Sequence, residues 1–176
     1  LIADAGGNDL LRQNAAWIGN PTVFHNRMVP TPPFMPPGMM PMQSVPTGVA
    51  AGPDGALYVS ELTGFPFPPG QARIYRVVPG VSKTVYATGL TNVTGLAFSG
   101  RTLYAVQFAT AGLLNVPPGE LPTGSLVRVR PGQTSHPVVA DNLPAPYGVA
   151  TRAGAAYVTT CAVCPAGGGV SRIPLG

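Results

Sequence analysis

An all-β chain, built as a β-propeller of about three and a half four-stranded blades in an incomplete ring, is the fold this sequence predicts. Three observations lead there. One segment recurs as "TGVAAGPDGALYVSE" (47–61), "TGLAFSGRTLYAVQ" (94–107) and "YGVATRAGAAYVTT" (147–160), with Gly48, Gly95 and Gly148 spaced 47 and 53 residues apart. A second follows each copy, as "ARIYRVVPG" (72–80), "GSLVRVRPG" (124–132) and "GGVSRIPLG" (168–176). Finally, 23 Gly and 22 Pro interrupt every window long enough for a helix, because proline lacks the amide hydrogen and clashes with the preceding turn.

Each repeat reads as strands. A glycine opens a short apolar run, a polar or Gly-rich turn follows, and an aromatic strand carries Tyr58, Tyr104 or Tyr157. Asp54-Gly55 is a strong hairpin signal, since glycine accepts positive φ without steric cost. The third strand brings Arg76, Arg128 or Arg172, expected on solvent-facing edges, and "KTVYATGL" (83–90) and "HPVVADNL" (136–143) supply a fourth. Units of ~45 residues with four antiparallel strands are propeller blades; a β-sandwich with coincidental spacing is the competing architecture.

Along the chain, 1–43 reads as the end of one blade plus a Pro/Met-rich loop, 44–90 and 91–143 as full blades, and 144–176 as a final blade lacking its outer strand. All belong to one domain. The opening "LIADAGGNDLLRQ" aligns with the second and third strands of an earlier copy, with Arg12 in register with Arg76. The longest connection, "FATAGLLNVPPGELPTGS" (108–125), follows an aromatic strand. Insertions at one fixed connection emerge on one face, the usual binding face of a propeller. Closed propellers need ~4–8 blades, so the chain reads as the C-terminal half of a longer one. Its expected partner is the missing N-terminal half or a second copy.

Composition narrows the function classes. The charge of +4 comes from nine scattered arginines and one lysine, and 45% of residues are hydrophobic against 9% charged. Nucleic-acid binding wants a clustered basic footprint with aromatic platforms, and neither is present. No apolar run approaches the ~20 residues of a membrane span. The positive mean hydropathy argues against disorder.

The stretches "ADAGGNDLLR", "MMPMQSVPTGVAAGPDGALYVSELTGFPFPPG", "YATGLTNVTGLAF", "LPAPYGVA" and "GGGVSRIPLG" together resemble the ScyD/ScyE family. Those proteins are six-bladed, NHL-like propellers associated with biosynthesis of scytonemin, a cyanobacterial sunscreen pigment. The resemblance runs over nearly the whole chain and implies an exported protein, periplasmic or extracellular, whose precursor carried a signal peptide. The chain departs from the family in lacking the first half.

Four constellations are candidates for chemistry. All five methionines, Met28, Met35, Met39, Met40 and Met42, fall in "HNRMVPTPPFMPPGMMPMQ" (25–43). Thioethers beside His25 could hold Cu(I), but apolar gap-filling suits methionine better. The segment is therefore expected to act as a lid beside Trp17, Phe24 and Phe34. Phe34, Met35, Met39, Met40 and Met42 would form its ligand or partner surface, suited to a small apolar ligand. Cys161 and Cys164 form a lone C-x-x-C after a strand; a local disulfide is expected in an oxidising compartment, with free thiols, a metal or redox catalysis as alternatives. Glu61, Asn92 and Asp141, with Asn142 beside it, could offer oxygen ligands to Ca²⁺ near the propeller axis. No other cofactor is expected, and the positions equivalent to Glu61 hold Gln107 and Thr160, so no carboxylate ring forms. Finally, His25 and His136 lack a G-x-S-x-G partner for nucleophilic chemistry, and Asn92-Val93-Thr94 fits a glycosylation pattern that carries little weight in a bacterium.

The function expected is an exported binding or scaffold module of the bacterial envelope. The rivals are a metal-dependent lactonase- or lyase-like enzyme with part of its site in the missing half, and a structural subunit assembling through open blade edges.

Overall fold

The computed structural model describes residues 1–12, 22–78 and 80–176. Trp17, expected beside the methionine segment, lies outside them. The protein is an all-β propeller with an incomplete ring, and its described residues contain no α-helix. The first sheet runs in the order β1 (Ile2–Asp4), β2 (Asp9–Leu11), β3 (Thr22–Val23). A separate hairpin, β4 (Arg27–Pro30) and β5 (Met39–Met42), follows. Two four-stranded sheets come next: β6 (Pro46–Ala51), β7 (Leu57–Glu61), β8 (Ala72–Val78) and β9 (Ser82–Leu90), then β10 (Val93–Ser99), β11 (Thr102–Gln107), β12 (Thr123–Arg128) and β13 (Val138–Pro144). The last sheet is β14 (Val149–Arg152), β15 (Ala155–Thr160) and β16 (Gly169–Pro174). Every pairing is antiparallel between neighbours in sequence, which needs only short turns.

The inner strands β1, β6, β10 and β14 adjoin in that order. This corrects the reading of residues 1–13. β1 is an inner strand and β2 a second strand, so Arg12 lies just beyond β2 and has no place in a third strand beside Arg76. The cause is a turn. Asp4 Oδ1 accepts the amide hydrogens of Gly6 and Gly7 at 2.9 and 3.1 Å, closing the same first-to-second-strand hairpin that Gly52–Ala56 closes in the next blade.

Strand alternation places the cores between blades. In β7, Leu57 and Val59 face Leu10 and Phe24 of the preceding blade, while Tyr58 faces Leu96, Leu103 and Ala105 of the following one. In β11, Tyr104 and Val106 then meet Ala156 and Val158 of the last blade. The two four-stranded sheets are thus apolar on both faces, which leaves few places for charge within their strands.

The repeated glycines mark where inner strands touch. A Cβ on Gly95 would lie 2.8 Å from Tyr147 O and 3.4 Å from Gly148 Cα; one on Gly48 would lie 3.2 Å from Thr94 O. The threonine before each donates across the same gap, Thr47 Oγ1 to Val93 O and Thr94 Oγ1 to Tyr147 O, both at 2.7 Å. The Thr-Gly pair is therefore a blade-to-blade stitch.

Candidate functional site

Pro46 pairs with Glu61 at one end of the sheet, so connections leading into first strands and leaving second strands share a face. That face carries the hairpin β4–β5, the 62–71 loop, the 108–122 loop with its single 3₁₀ turn (Leu113–Asn115), and the 161–168 loop.

The Pro/Met-rich segment, expected as a loop, forms a hairpin. Its prolines fit because Pro30 pairs with Met39 and Pro41 with Met28 in a sheet of only two strands, where each strand has an edge that needs no donor. Alternation divides the sulfurs between faces. Met42 is fully buried and Met40 half-buried beside buried Val29, whereas Met28 and Met39 are exposed on the other side; Met35 is exposed in the tip. Phe34 is also exposed and stands 6.5 Å from Phe65, which in turn is 6.3 Å from Phe67.

Arg27 anchors this hairpin. Its Nη1 donates to Glu61 Oε1 at 2.6 Å and to the Tyr75 hydroxyl at 3.1 Å, and its Nη2 donates to Gln71 O at 2.6 Å. Ser44 also donates to Glu61 Oε1, and the Arg73 amide donates to Oε2 at 2.9 Å. Glu61 is buried with both oxygens engaged. A cation there would have to displace Arg27.

Asn92 is equally occupied. Its Nδ2 donates to Leu62 O at 2.9 Å, its Oδ1 accepts the Leu113 amide at 3.1 Å, and its carbonyl accepts the Phe108 amide at 2.9 Å. It adopts φ 44°, a conformation asparagine tolerates better than most residues. Asn92 thereby ties the 62–71 loop to the 3₁₀ turn. Asp141 stands apart, exposed on β13, the outermost strand of its blade, where it accepts the amide of Asn142. Among the described residues, no three His, Cys, Asp or Glu side chains group as metal ligands.

Cys161 and Cys164 form a disulfide in the last blade's loop, with the Cys161 amide bonded to Pro144 O. His25 is exposed. His136 accepts the Arg130 amide at Nδ1, so its Nε2–H donates to Thr88 O at 2.8 Å and bridges two blades. Arg12, Arg128 and Arg172 are exposed, while Arg76 Nε donates to Asp54 Oδ2 at 2.7 Å. That contact holds the Asp54 carboxyl below its usual range.

Between the hairpin, the 62–71 loop and the 3₁₀ turn lies a groove of about 300 Å³. Prolines dominate its lining, Pro30, Pro32 and Pro33 from the hairpin and Pro66, Pro68 and Pro69 from the 62–71 loop, with Leu114 from the 3₁₀ turn. Thr31, Gln71 and Asn115 supply its polar atoms, and none of its lining residues is charged. Arg27 and Asn92 brace two walls each. The sequence reading missed both the groove and Arg27, although a lone carboxylate at a position held elsewhere by Gln107 and Thr160 signalled a missing cation.

No family model matches the chain, and no curated protein sequence does. In fold it is similar to the PQQ-bound form of an aldose sugar dehydrogenase from Streptomyces coelicolor, with a TM-score of 0.57 at 20% identity. The match covers 98% of this chain and 60% of that one. At such identity the likeness shows the fold, a β-propeller. The chain spans about 60% of that protein's length. No helix among the described residues is long and apolar enough to cross a membrane.

Proposed function

We propose that the chain is an exported propeller module of the bacterial envelope or exterior, similar to ScyD/ScyE proteins, which binds a ligand on its loop-bearing face. One observation carries this reading: the long connections converge on a groove whose walls are rigid and whose ionisable neighbour, Glu61, is locked to Arg27. Proline fixes φ, so such walls are preformed and lose little freedom on binding. The Cys161–Cys164 disulfide fits an oxidising compartment. Completion of the ring by the N-terminal half belongs to the proposal, supported by apolar side chains exposed on the terminal blades: Leu1, Ile2 and Val23 at one end, Val170 at the other.

The test sets binding against metal-dependent catalysis. Purified protein is titrated with Ca²⁺ by calorimetry, alongside Glu61→Gln. The binding-module reading expects no stoichiometric uptake. Stoichiometric Ca²⁺ lost in the variant would reassign the site to a metal centre.

A further inference from the structure

The groove's chemistry is narrower than its apolarity. Ring C–H bonds of proline beside the amide nitrogen carry partial positive charge, whereas the face of an aromatic ring carries the negative end of its quadrupole. A lining dominated by prolines from two loops therefore favours a π face over a saturated surface of equal area. Charge gives a second constraint. With no charged lining side chain, an ionic ligand would shed water without compensation.

Polar groups sit where they can orient a guest. The Gln71 carbonyl is fixed by Arg27, while the residue is exposed and lines the groove. Asn115 donates from Nδ2 to Ala111 O at 2.7 Å, which fixes its amide. Size adds the third constraint. The groove's volume of about 300 Å³ is at the lower end for small-molecule sites, suited to a compact ring system rather than a long chain.

We infer that the groove binds a small, neutral aromatic molecule bearing a hydroxyl or carbonyl group, its ring stacked on the prolines and its polar atom at Gln71 or Asn115. The inference rests on the binding-module reading and specifies its ligand.

The experiment follows backbone amide signals of the ¹⁵N-labelled chain during titration with three probes. These are 2-naphthol, its saturated counterpart decahydro-2-naphthol, and methyl β-glucoside. Expected are shifts at Thr31, Gln71 and Leu114, with 2-naphthol bound roughly threefold to tenfold more tightly than the saturated alcohol. Pro69→Ala and Gln71→Ala, both at exposed positions, should each weaken 2-naphthol while leaving signals of the blade cores in place. Equal binding of the saturated alcohol, or glucoside binding at the same residues, overturns the aromatic class and leaves the binding module standing. Absence of shifts with 2-naphthol also overturns the inference. The Ca²⁺ titration above then reads separately whether the parent reading falls with it.

Discussion

Arg27, on the first strand of the methionine-rich hairpin, lies 2.6 Å from Glu61, the last residue of a blade's second strand. Gln107, at the equivalent place one blade on, accepts the Thr91 amide and donates to Ser125 Oγ. Both side chains join the segment entering a blade to its third strand. Glu61 differs in adding a charge, and that charge recruits the hairpin.

Removing one member should cost more than removing both. Arg27→Met strands a buried carboxylate and is expected to destabilise by about 2–4 kcal/mol, a value lowered for Arg27's partial exposure. Glu61→Gln should cost less, since an amide can keep the Ser44 or Arg73 contact. The double variant should recover some of the loss, as measured by urea denaturation in a double-mutant cycle. Strict additivity would show that the pair is not coupled.

The Thr-Gly stitch makes a graded series. Thr47→Val and Thr94→Val each leave a carbonyl without its donor and should cost about 1 kcal/mol. Gly95→Ala must push neighbouring inner strands apart and should cost about 1–3 kcal/mol. Gly124→Ala should be worse, because its methyl would fall 2.0 Å from Gln107 O. Thermal melts of the four variants test the order.

Acid should loosen the second blade's turn. Asp54 accepts hydrogen bonds from Arg76, Ala56 and Tyr58, and the Arg76 contact chiefly lowers its pKa. A carboxyl depressed on folding contributes stability that is complete above its unfolded pKa and vanishes as pH falls through the folded one. Urea midpoints measured downward from pH 5 should therefore fall less steeply in Asp54→Asn than in the parent.

Reduction should be mild. The disulfide closes a four-residue segment, and a loop that short limits the unfolded chain by no more than about 2 kcal/mol. Denaturation with and without dithiothreitol checks this. Global unfolding on reduction would mean that the 161–168 loop supports much more than its own blade.

Most of the fold was legible because blades repeat. Gly48, Gly95 and Gly148, the tyrosines and the third-strand arginines are each tied to a position in one small unit, so spacing alone revealed the class. The first strand escaped because Asp4 replaces the Gly-Pro-Asp-Gly signal with a turn of another composition. The hairpin escaped because Pro30 and Pro41 read as strand breakers, whereas a two-stranded ribbon, whose strands are both edges, tolerates them. The Arg27–Glu61 pair joins residues 34 apart through a contact no repeat dictates. Asn92, considered as a ligand, is a brace because both ends of its amide meet backbone groups, which sequence cannot display.

Placing the main apolar clusters between neighbouring sheets has a consequence for dissection. One excised blade would be wet on two sides and own no interior, so the smallest stable excerpt is a pair of neighbours. Cuts in the 80–81 or 130–137 connections would strip a sheet of its outermost strand without isolating a folding unit, and cooperative melting should extend across the joined blades as one transition.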